Sequence, residues 1–364
     1  MNLSDSLKKT YTQETLRAPE AQRLAQFIAW GPEIFQVSRI MVKWGILAML
    51  RESESGMTID EVTAAAGKSR YAVQCLLEAS LSIGIVLVDA DTNRFRLSKT
   101  GWFLLTDKAT LSNMNFNHDV CYEGMFRLEE ALEAGKPAGL AHFGSWPTIY
   151  EGLSSFPPEV KKSWFGFDHF YSDGSFEEAL RIVFASKTRR LMDVGGNTGR
   201  WAMQCVNNDP DVKVTVVDLP QQLEMMRTQT EGQPGAERID GYATDLLDDN
   251  NALPAGDWDV IWMSQFLDCF SEPQVVSILR RAARVMSFDT RLCIMETFWD
   301  RQRYETAALC LTQTSLYFSA MANGNSKMFH SDDLQRMLRQ AGLRVEQSHD
   351  HLGLGHSILV CKKE

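Results

Sequence analysis

Leu191-Met192-Asp193-Val194-Gly195-Gly196-Asn197-Thr198-Gly199 is the stretch that decides the fold. Residues of strand character run straight into a glycine-rich turn, and a helical stretch opens directly after it. Glycines at such a turn let the chain bend sharply and leave bare main chain against which a ligand can lie. Downstream the alternation repeats. Residues 212–218, 239–243, 260–264 and 291–297 read as strands with amphipathic helical stretches between them, which predicts a doubly wound parallel sheet of the α/β class. Residues 343–349 and 356–361 read as two more strands after a helix over 332–340, so the sheet is expected to close with a strand pair.

Two ligand classes compete for the turn. A dinucleotide fingerprint needs G-x-G-x-x-G. Counted from Gly195, its later glycines fall on Asn197 and Arg200; counted from Gly196, on Thr198 and Trp201; neither frame fits. The acid-x-G-x-G-x-G form used for S-adenosylmethionine needs an acid at 193 and glycines at 195, 197 and 199, and only Asn197 departs from it. Asn is the non-glycine residue best able to hold a left-handed backbone, so the departure is conformationally mild. Asp218, at the tip of the second strand, can take both ribose hydroxyls, a role common to both cofactor types. Thr244-Asp245-Leu246-Leu247, after the third strand, suits an adenine edge and face.

Upstream the texture is helical. Thr58 caps a short helix, Gly67-Lys68-Ser69 turns, a second helix starts at Ser69, and 83–88 with Arg94-Phe95-Arg96-Leu97 form a two-stranded wing. Helix, turn, helix, wing is the winged-helix order. The second helix offers only Lys68 and Arg70 as basic groups, too few for groove reading. The apolar excess before it (Phe27, Ile28, Trp30, Ile34, Phe35, Ile40, Met41, Trp44) fits a subunit interface or an internal core. Domains are expected over residues 1–112 (winged helix), 113–187 (helical connector reaching the substrate pocket) and 188–364 (cofactor-binding sheet).

Composition narrows the class further. With 364 residues, 37 basic and 47 acidic side chains, the net charge is −10, and no Lys/Arg run exists to bind nucleic acid. The N-terminus has no apolar h-region and no apolar run approaches about 18 residues, so a cytosolic chain outside the membrane is expected. Seven scattered cysteines without a CxxC spacing read as reduced thiols. His349 and His351 share a strand face, yet no third ligand clusters with them, and no metal site is expected.

In this order of motifs the chain resembles class I S-adenosylmethionine-dependent methyltransferases. Within them it is most similar to small-molecule O-methyltransferases with an N-terminal winged-helix dimerisation domain, the plant phenolic and bacterial polyketide-tailoring type. The resemblance covers residues 24–362. It includes Leu97-Ser98-Lys99-Thr100-Gly101, the segment 164–171, Val217-Asp218-Leu219-Pro220, and Asp268-Cys269-Phe270-Ser271-Glu272, where the family has His-Asp-Trp-Ser-Asp. It implies a Rossmann-like sheet with a reversed last strand, S-adenosylmethionine as cofactor, a small-molecule acceptor and a homodimer. It further implies that Gly195, Gly196, Asn197 and Gly199, with the motif acid Asp193, cradle the methionine part. Asp218 would bind the ribose with Leu219 beside the adenine, and Asp245 and Leu246 would meet the adenine edge and face. Ser264 stands where the family commonly has Lys, so one cofactor contact is altered.

The family's base is the first residue of its His-Asp-Trp motif, which falls on Asp268. Of the acids that hold that base, the first matches Glu296; the second falls on Met328, with His330 two residues on. A carboxylate of pKa about 4 is mismatched to a phenol of pKa near 10. Three readings therefore stand. Asp268 is a buried base with a raised pKa; or Asp268 or Glu296 orients a histidine from elsewhere, His330 first, then His118 or His169; or the acceptor is already acidic or is not an oxygen, and positioning suffices. Trp164, Phe165, Phe167, Phe170 and Tyr171, with Leu316, Tyr317, Phe318 and Met321, predict an aromatic pocket for a flat acceptor. Two alternatives remain: a cofactor-binding relative that hydroxylates or decarboxylates, and a winged-helix regulator that senses a ligand.

Overall fold

A computed structural model describes residues 2–364. By contact the chain divides into two compact units, residues 14–120 and residues up to 13 together with 121–364. These units cut across the boundaries expected from sequence. One reason lies in the N-terminal helix Asp5–Thr12, which buries Leu7 completely. The Ser4 N–H donates to the Asp300 carbonyl at 3.0 Å, and the Ser4 and Ser6 hydroxyls donate to the Gln302 carbonyl at 3.1 Å. The first residues thus belong to the larger unit.

The smaller unit is helical with one hairpin. Thr58 caps the helix Ile59–Ala66 in a reciprocal box with Glu61, and Gly67 closes it in the left-handed region. Ser69 caps the helix Arg70–Ser82. Strands β1 (Val86–Asp89) and β2 (Arg94–Leu97) pair antiparallel across a turn in which Asn93 takes φ +53°. Met41, Leu47, Leu50, Val62, Val73, Leu77 and Phe95 make the core. The expected winged-helix order is present. Its basic groups are already engaged: Arg70 pairs with Asp60 at 2.8 Å, and Lys68 lies 4.9 Å above the Trp44 ring. The helix Ala18–Ala29 buries none of its residues, and Leu24, Ile28 and Trp30 stand exposed.

The larger unit is built on one seven-stranded sheet. Its strands are β3 (Arg190–Val194), β4 (Lys213–Asp218), β5 (Ile239–Ala243), β6 (Val260–Ser264), β7 (Arg291–Glu296), β8 (Leu343–Leu352) and β9 (His356–Lys363), in the order 5-4-3-6-7-9-8. All neighbours are parallel through β7; β9 runs antiparallel to β7 and to β8. That is the expected doubly wound sheet with its reversed strand. β3 and β6 are buried on both faces, which is why they read as continuous apolar runs without alternation. The helices Glu272–Val285 and Ser331–Gln340 cover one face, and Phe176–Val183, Arg200–Asn208 and Pro220–Thr230 the other. Trp262 of β6 stacks on Trp201 at 4.3 Å between ring centroids. Among the described residues no helix is long and apolar enough to cross a membrane.

His356, at the start of β9, is fully buried, with the Ser175 hydroxyl 2.9 Å from Nδ1. Burial lowers its pKa from 6.5 to about 4. Between those values the unfolded chain binds a proton that the folded chain does not, so stability falls as pH drops through that window, by roughly 3 kcal/mol for this group. We expect the thermal midpoint of His356→Gln to fall less between pH 6.5 and 4 than that of the parent, measured by scanning calorimetry.

Candidate active site

The strand order reverses between β3 and β6: the chain leaves β3 toward β4 on one side and β6 toward β7 on the other. Loops after these two strands diverge, and the crevice between them is where ligands bind in such sheets. The loop after β3 needs three left-handed residues, Gly195 at φ +77°, Asn197 at +49° and Gly199 at +77°. Asn197 therefore holds the backbone that its family glycine would hold. A Cβ on Gly195 would lie 2.2 Å from the Phe266 ring, and one on Gly196 2.5 Å from Asp193 Oδ2. Both positions must stay bare.

The Asp218 carboxylate organises this loop. Its Oδ2 accepts from the Asn197 N–H at 2.8 Å and its Oδ1 from the Leu219 N–H at 2.7 Å. A carboxylate has about four acceptor sites, so two remain for a pair of hydroxyls. Asp193, beneath the loop, is buried, and its Oδ2 meets no donor among the described residues; nor does the buried Asn197 Oδ1. Burial, with the charge of Asp218 behind it, lifts the Asp193 carboxyl to about 8. Burial also raises Asp218, against the pull of its two amide bonds. Orphaned acceptors, a bare backbone cradle and a diol-ready carboxylate fit a nucleoside bearing an amino group, as S-adenosylmethionine does.

Asp245 and Leu246 follow β5. Leu246 is buried, whereas exposed Asp245 heads a turn in which its Oδ1 accepts from the Leu247 N–H at 2.8 Å. Sequence reasoning missed what holds this segment. Arg281 is buried and donates to the carbonyls of Leu246 at 2.6 Å and of Asp248 and Asn251 at 3.0 Å each. The signal was present: a lone Arg on the inward face of a helix that otherwise turns Val275, Ile278, Leu279 and Ala282 into the core. Ser264 ends β6 half-buried, and Gln265 after it adopts φ +46°, anchored by its N–H on the Met295 carbonyl at 2.9 Å.

On the other flank two carboxyls meet. Glu296, at the end of β7, accepts through Oε1 from the N–H groups of Phe266 and Leu267 at 3.2 and 3.0 Å, fixing the turn that presents Asp268. Both acids are almost wholly buried, at 1% and 3% exposure. Burial lifts Asp268 to about 7; the Cys269 thiol, 3.6 Å from Oδ1, opposes the shift and Asp168 adds to it. Burial, then the charge of Asp268, pushes Glu296 well above the usual carboxylate range.

His330 is differently employed. Its Nε2–H donates to the Asn2 carbonyl at 2.8 Å, and Nδ1 accepts from the Asp332 N–H at 3.1 Å, capping the helix Ser331–Gln340. With both ring nitrogens engaged by main chain, His330 is a cap and an anchor for the N-terminus, which leaves neither nitrogen open for the base expected there from sequence. His169 Nε2 lies 4.0 Å from Asp168 on its own helix, while His118 Nδ1 contacts Asp119 at 2.6 Å within the smaller unit. Of the pocket aromatics, Trp164 is buried and donates from Nε1 to the Tyr317 hydroxyl at 2.8 Å. Phe318, buried beside it, opens a π-helical turn. Phe167 and Phe170 both pack on Tyr171, at 5.0 and 5.2 Å.

Comparison with known proteins agrees with this geometry. Residues 172–344 match the model of the O-methyltransferase domain, and residues 22–95 that of a Dimerisation2-like domain. The chain is 21% identical to an L-tyrosine C(3)-methyltransferase of Streptomyces lavendulae over 91% of this chain and 89% of the relative. It is 26% identical to a demethylspheroidene O-methyltransferase of Cereibacter sphaeroides over 81% and 77%. Among solved structures, mitomycin 7-O-methyltransferase MmcR superposes with TM-score 0.70 at 19% identity, covering 94% of this chain and 98% of that one. The methyltransferase SibL does so at 0.68 and 22%, covering 93% and 98%. Those two likenesses are of fold.

Removing the Arg281 guanidinium would strand three carbonyls under the segment after β5. Arg281→Met is expected to weaken S-adenosylhomocysteine binding about tenfold or more and to lower the thermal midpoint, read by calorimetric titration and by scanning calorimetry.

Proposed function

We propose, for a chain that belongs to the O-methyltransferase family and is an S-adenosylmethionine-dependent methyltransferase, that the methyl group goes to a phenol-bearing small molecule and that Asp268 is the base. The bound cofactor supplies an electrophilic methyl group on a sulfonium. The chain's own residues do the rest. Gly195, Gly196, Asn197 and Gly199 would hold the cofactor's amino-acid end over Asp193, Asp218 would take the ribose diol, and Leu219, Asp245 and Leu246 would border the adenine. Ser264 would leave that side without the lysine its relatives use. Trp164, Phe167, Phe170 and Phe318 would flank the acceptor ring. Much of the rate in such an in-line displacement comes from alignment.

The observation that carries the assignment of the base is burial. Asp268 occupies the position of the family histidine, and its environment lifts it to about 7, where a carboxylate is a far better acceptor for a phenolic proton than at its ordinary value. Glu296 would position the turn through the amides of Phe266 and Leu267. In this reading Asp268 would take the phenolic proton as the acceptor oxygen receives the methyl group that the cofactor supplies, and would then release that proton to water. A second reading is favoured by the C(3)-methyltransferase that matches nine-tenths of the chain. With the phenol ionised by Asp268, the ring carbon beside the oxygen would take the methyl group, and that carbon's own proton would then leave to restore the aromatic ring while the oxygen regains a proton. Proton NMR of the product separates the two, by an aryl methyl or a methoxy signal.

Activity is expected to rise with pH through about 7 as Asp268 ionises. Asp268→Asn should lose roughly 100-fold or more in kcat while still binding S-adenosylhomocysteine. His330→Ala should keep the pH limb and lose thermal stability instead. A pH–rate profile that is unchanged in Asp268→Asn removes the assignment.

The dimerisation-type domain supports a homodimer, which would join through the face bearing Leu24, Ile28 and Trp30, of which Ile28 is 73% exposed; a cytosolic location belongs to the same proposal. Ile28→Glu should elute as a monomer in size-exclusion chromatography with light scattering.

A further inference from the structure

The turn Leu267–Cys269 carries Asp268 between β6 and the helix Glu272–Val285, and its main chain is pinned from several sides. Glu296 Oε1 takes the N–H groups of Phe266 and Leu267 at 3.2 and 3.0 Å, and the Gln265 N–H reaches the Met295 carbonyl at 2.9 Å. The Asn323 side-chain amide donates to the Cys269 carbonyl. That amide is itself fixed, because its oxygen accepts from the N–H groups of Asn325 and Ser326 at 3.1 Å each and from the Ser326 hydroxyl at 3.0 Å. Beyond the turn the Ser271 N–H donates to Gln274 Oε1 at 2.9 Å, where the helix begins.

Inside this fixed turn the Cys269 thiol has two acceptors within reach. Its Sγ lies 3.6 Å from Asp268 Oδ1 and 4.0 Å from the Gln265 carbonyl oxygen. A thiol carries one proton, and a rotation about Cβ–Sγ sends it to one acceptor or the other. Toward a neutral carbonyl the S–H is a weak donor; toward a carboxylate the bond is charge-assisted and stronger. The choice therefore follows the state of Asp268. Burial, then the charge of Asp268, holds the thiol well above its ordinary range, so it keeps its proton while the acid titrates. The titratable groups facing the pair are Glu296 of β7, Asp168 of the helix Pro158–Ser172, Tyr150 of the short helix Ile149–Gly152 and Tyr317 of the helix Glu305–Tyr317. Burial and the charge of Asp168 disfavour ionisation of Asp268, and the bond from the thiol favours it.

Resting on the reading of Asp268 as the base, we infer that Cys269 is its positioning residue: the thiol donates to Oδ1 of the ionised acid, turns to the Gln265 carbonyl when the acid is protonated, and so keeps Oδ2 for the acceptor hydroxyl. The thiol proton never leaves sulfur. It follows the charge of its neighbour by a single rotation, which the pinned main chain permits without any movement of the turn.

The test needs no acceptor. Infrared difference spectra of the full chain saturated with S-adenosylhomocysteine are taken between about pH 5.5 and 8.5, a range that brackets the Asp268 carboxyl at about 7. The S–H stretch that disappears in Cys269→Ser belongs to Cys269, and the carboxyl C=O stretch that disappears in Asp268→Asn belongs to Asp268. The Cys269 band is expected to move to lower wavenumber with the midpoint at which the Asp268 band is lost, and to stay in place in Asp268→Asn. Cys269→Ala should raise that midpoint by about 0.5 pH unit or more, since a donor to the charged form is gone, whereas the stronger hydroxyl donor of Cys269→Ser should bring it to the parent value or below. An S–H band that stays still while Asp268 titrates overturns the inference. So does an unmoved or lowered midpoint in Cys269→Ala, or a serine variant that titrates as the alanine variant does. If Cys269→Ala does not fold, the S–H band of the unaltered protein decides. An unaltered protein in which Asp268 does not titrate across this range is a distinct result: it removes Asp268 as the base, and this inference with it.

Discussion

Carboxyl groups buried at one edge of the sheet, with no ion pair to a basic side chain among the described residues, are the constraint on which the rest of the larger unit depends. Asp193 lies in β3, Asp218 ends β4, Asp268 follows β6 and Glu296 ends β7. Taking a carboxylate out of water costs several kcal/mol unless something compensates. Asp218 and Glu296 are compensated by main-chain amides, and in accepting them they dictate the loops: one holds the turn through Asn197, the other the turn through Phe266 and Leu267. Asp193 has no amide opposing its burial and Asp268 has only its own, with the Cys269 thiol, and they rise to about 8 and 7. The same strand ends therefore carry two acids that hold loops through main-chain amides and two that burial raises to about 8 and 7.

This division gives the crevice its polarity. The flank after β3 presents a bare backbone and orphaned acceptors; the flank after β6 presents buried acids beside aromatic rings. Burial is the first cause that raises the Asp268 carboxyl to about 7, and it is what makes the proposed proton acceptance by a carboxylate chemically sound. Exposed at its ordinary value, the same side chain would leave a phenol protonated.

Support for the site comes from residues that touch no ligand. Arg281 spends its guanidinium on three carbonyls beneath the segment after β5. His330 joins the N-terminus to the start of a helix, and Asp300 secures the next residue through the Ser331 N–H and hydroxyl at 2.7 and 2.6 Å. A chain whose first residues are bonded to its last helix and to the strap after β7 divides by contact where composition shows no break.

Sequence alone determined whatever depends on local period and local backbone. Strand-to-glycine-to-helix order specified the doubly wound sheet; Thr58 followed by Glu61 specified a helix start; Asn at 197 specified a left-handed residue, and φ is +49° there. Each is settled within a few residues, where sterics and hydrogen bonding act directly. Tertiary structure alone decided the surroundings of the titratable groups. His330 and Asp268 both stood in sequence as candidates for the base, one with the usual imidazole chemistry and the other without it. Packing gave both nitrogens of His330 to the main chain and buried Asp268 among acids. Burial and electrostatic neighbours come from segments far apart in the chain, here 158–172, 267–269 and 291–296, so no local pattern can report them.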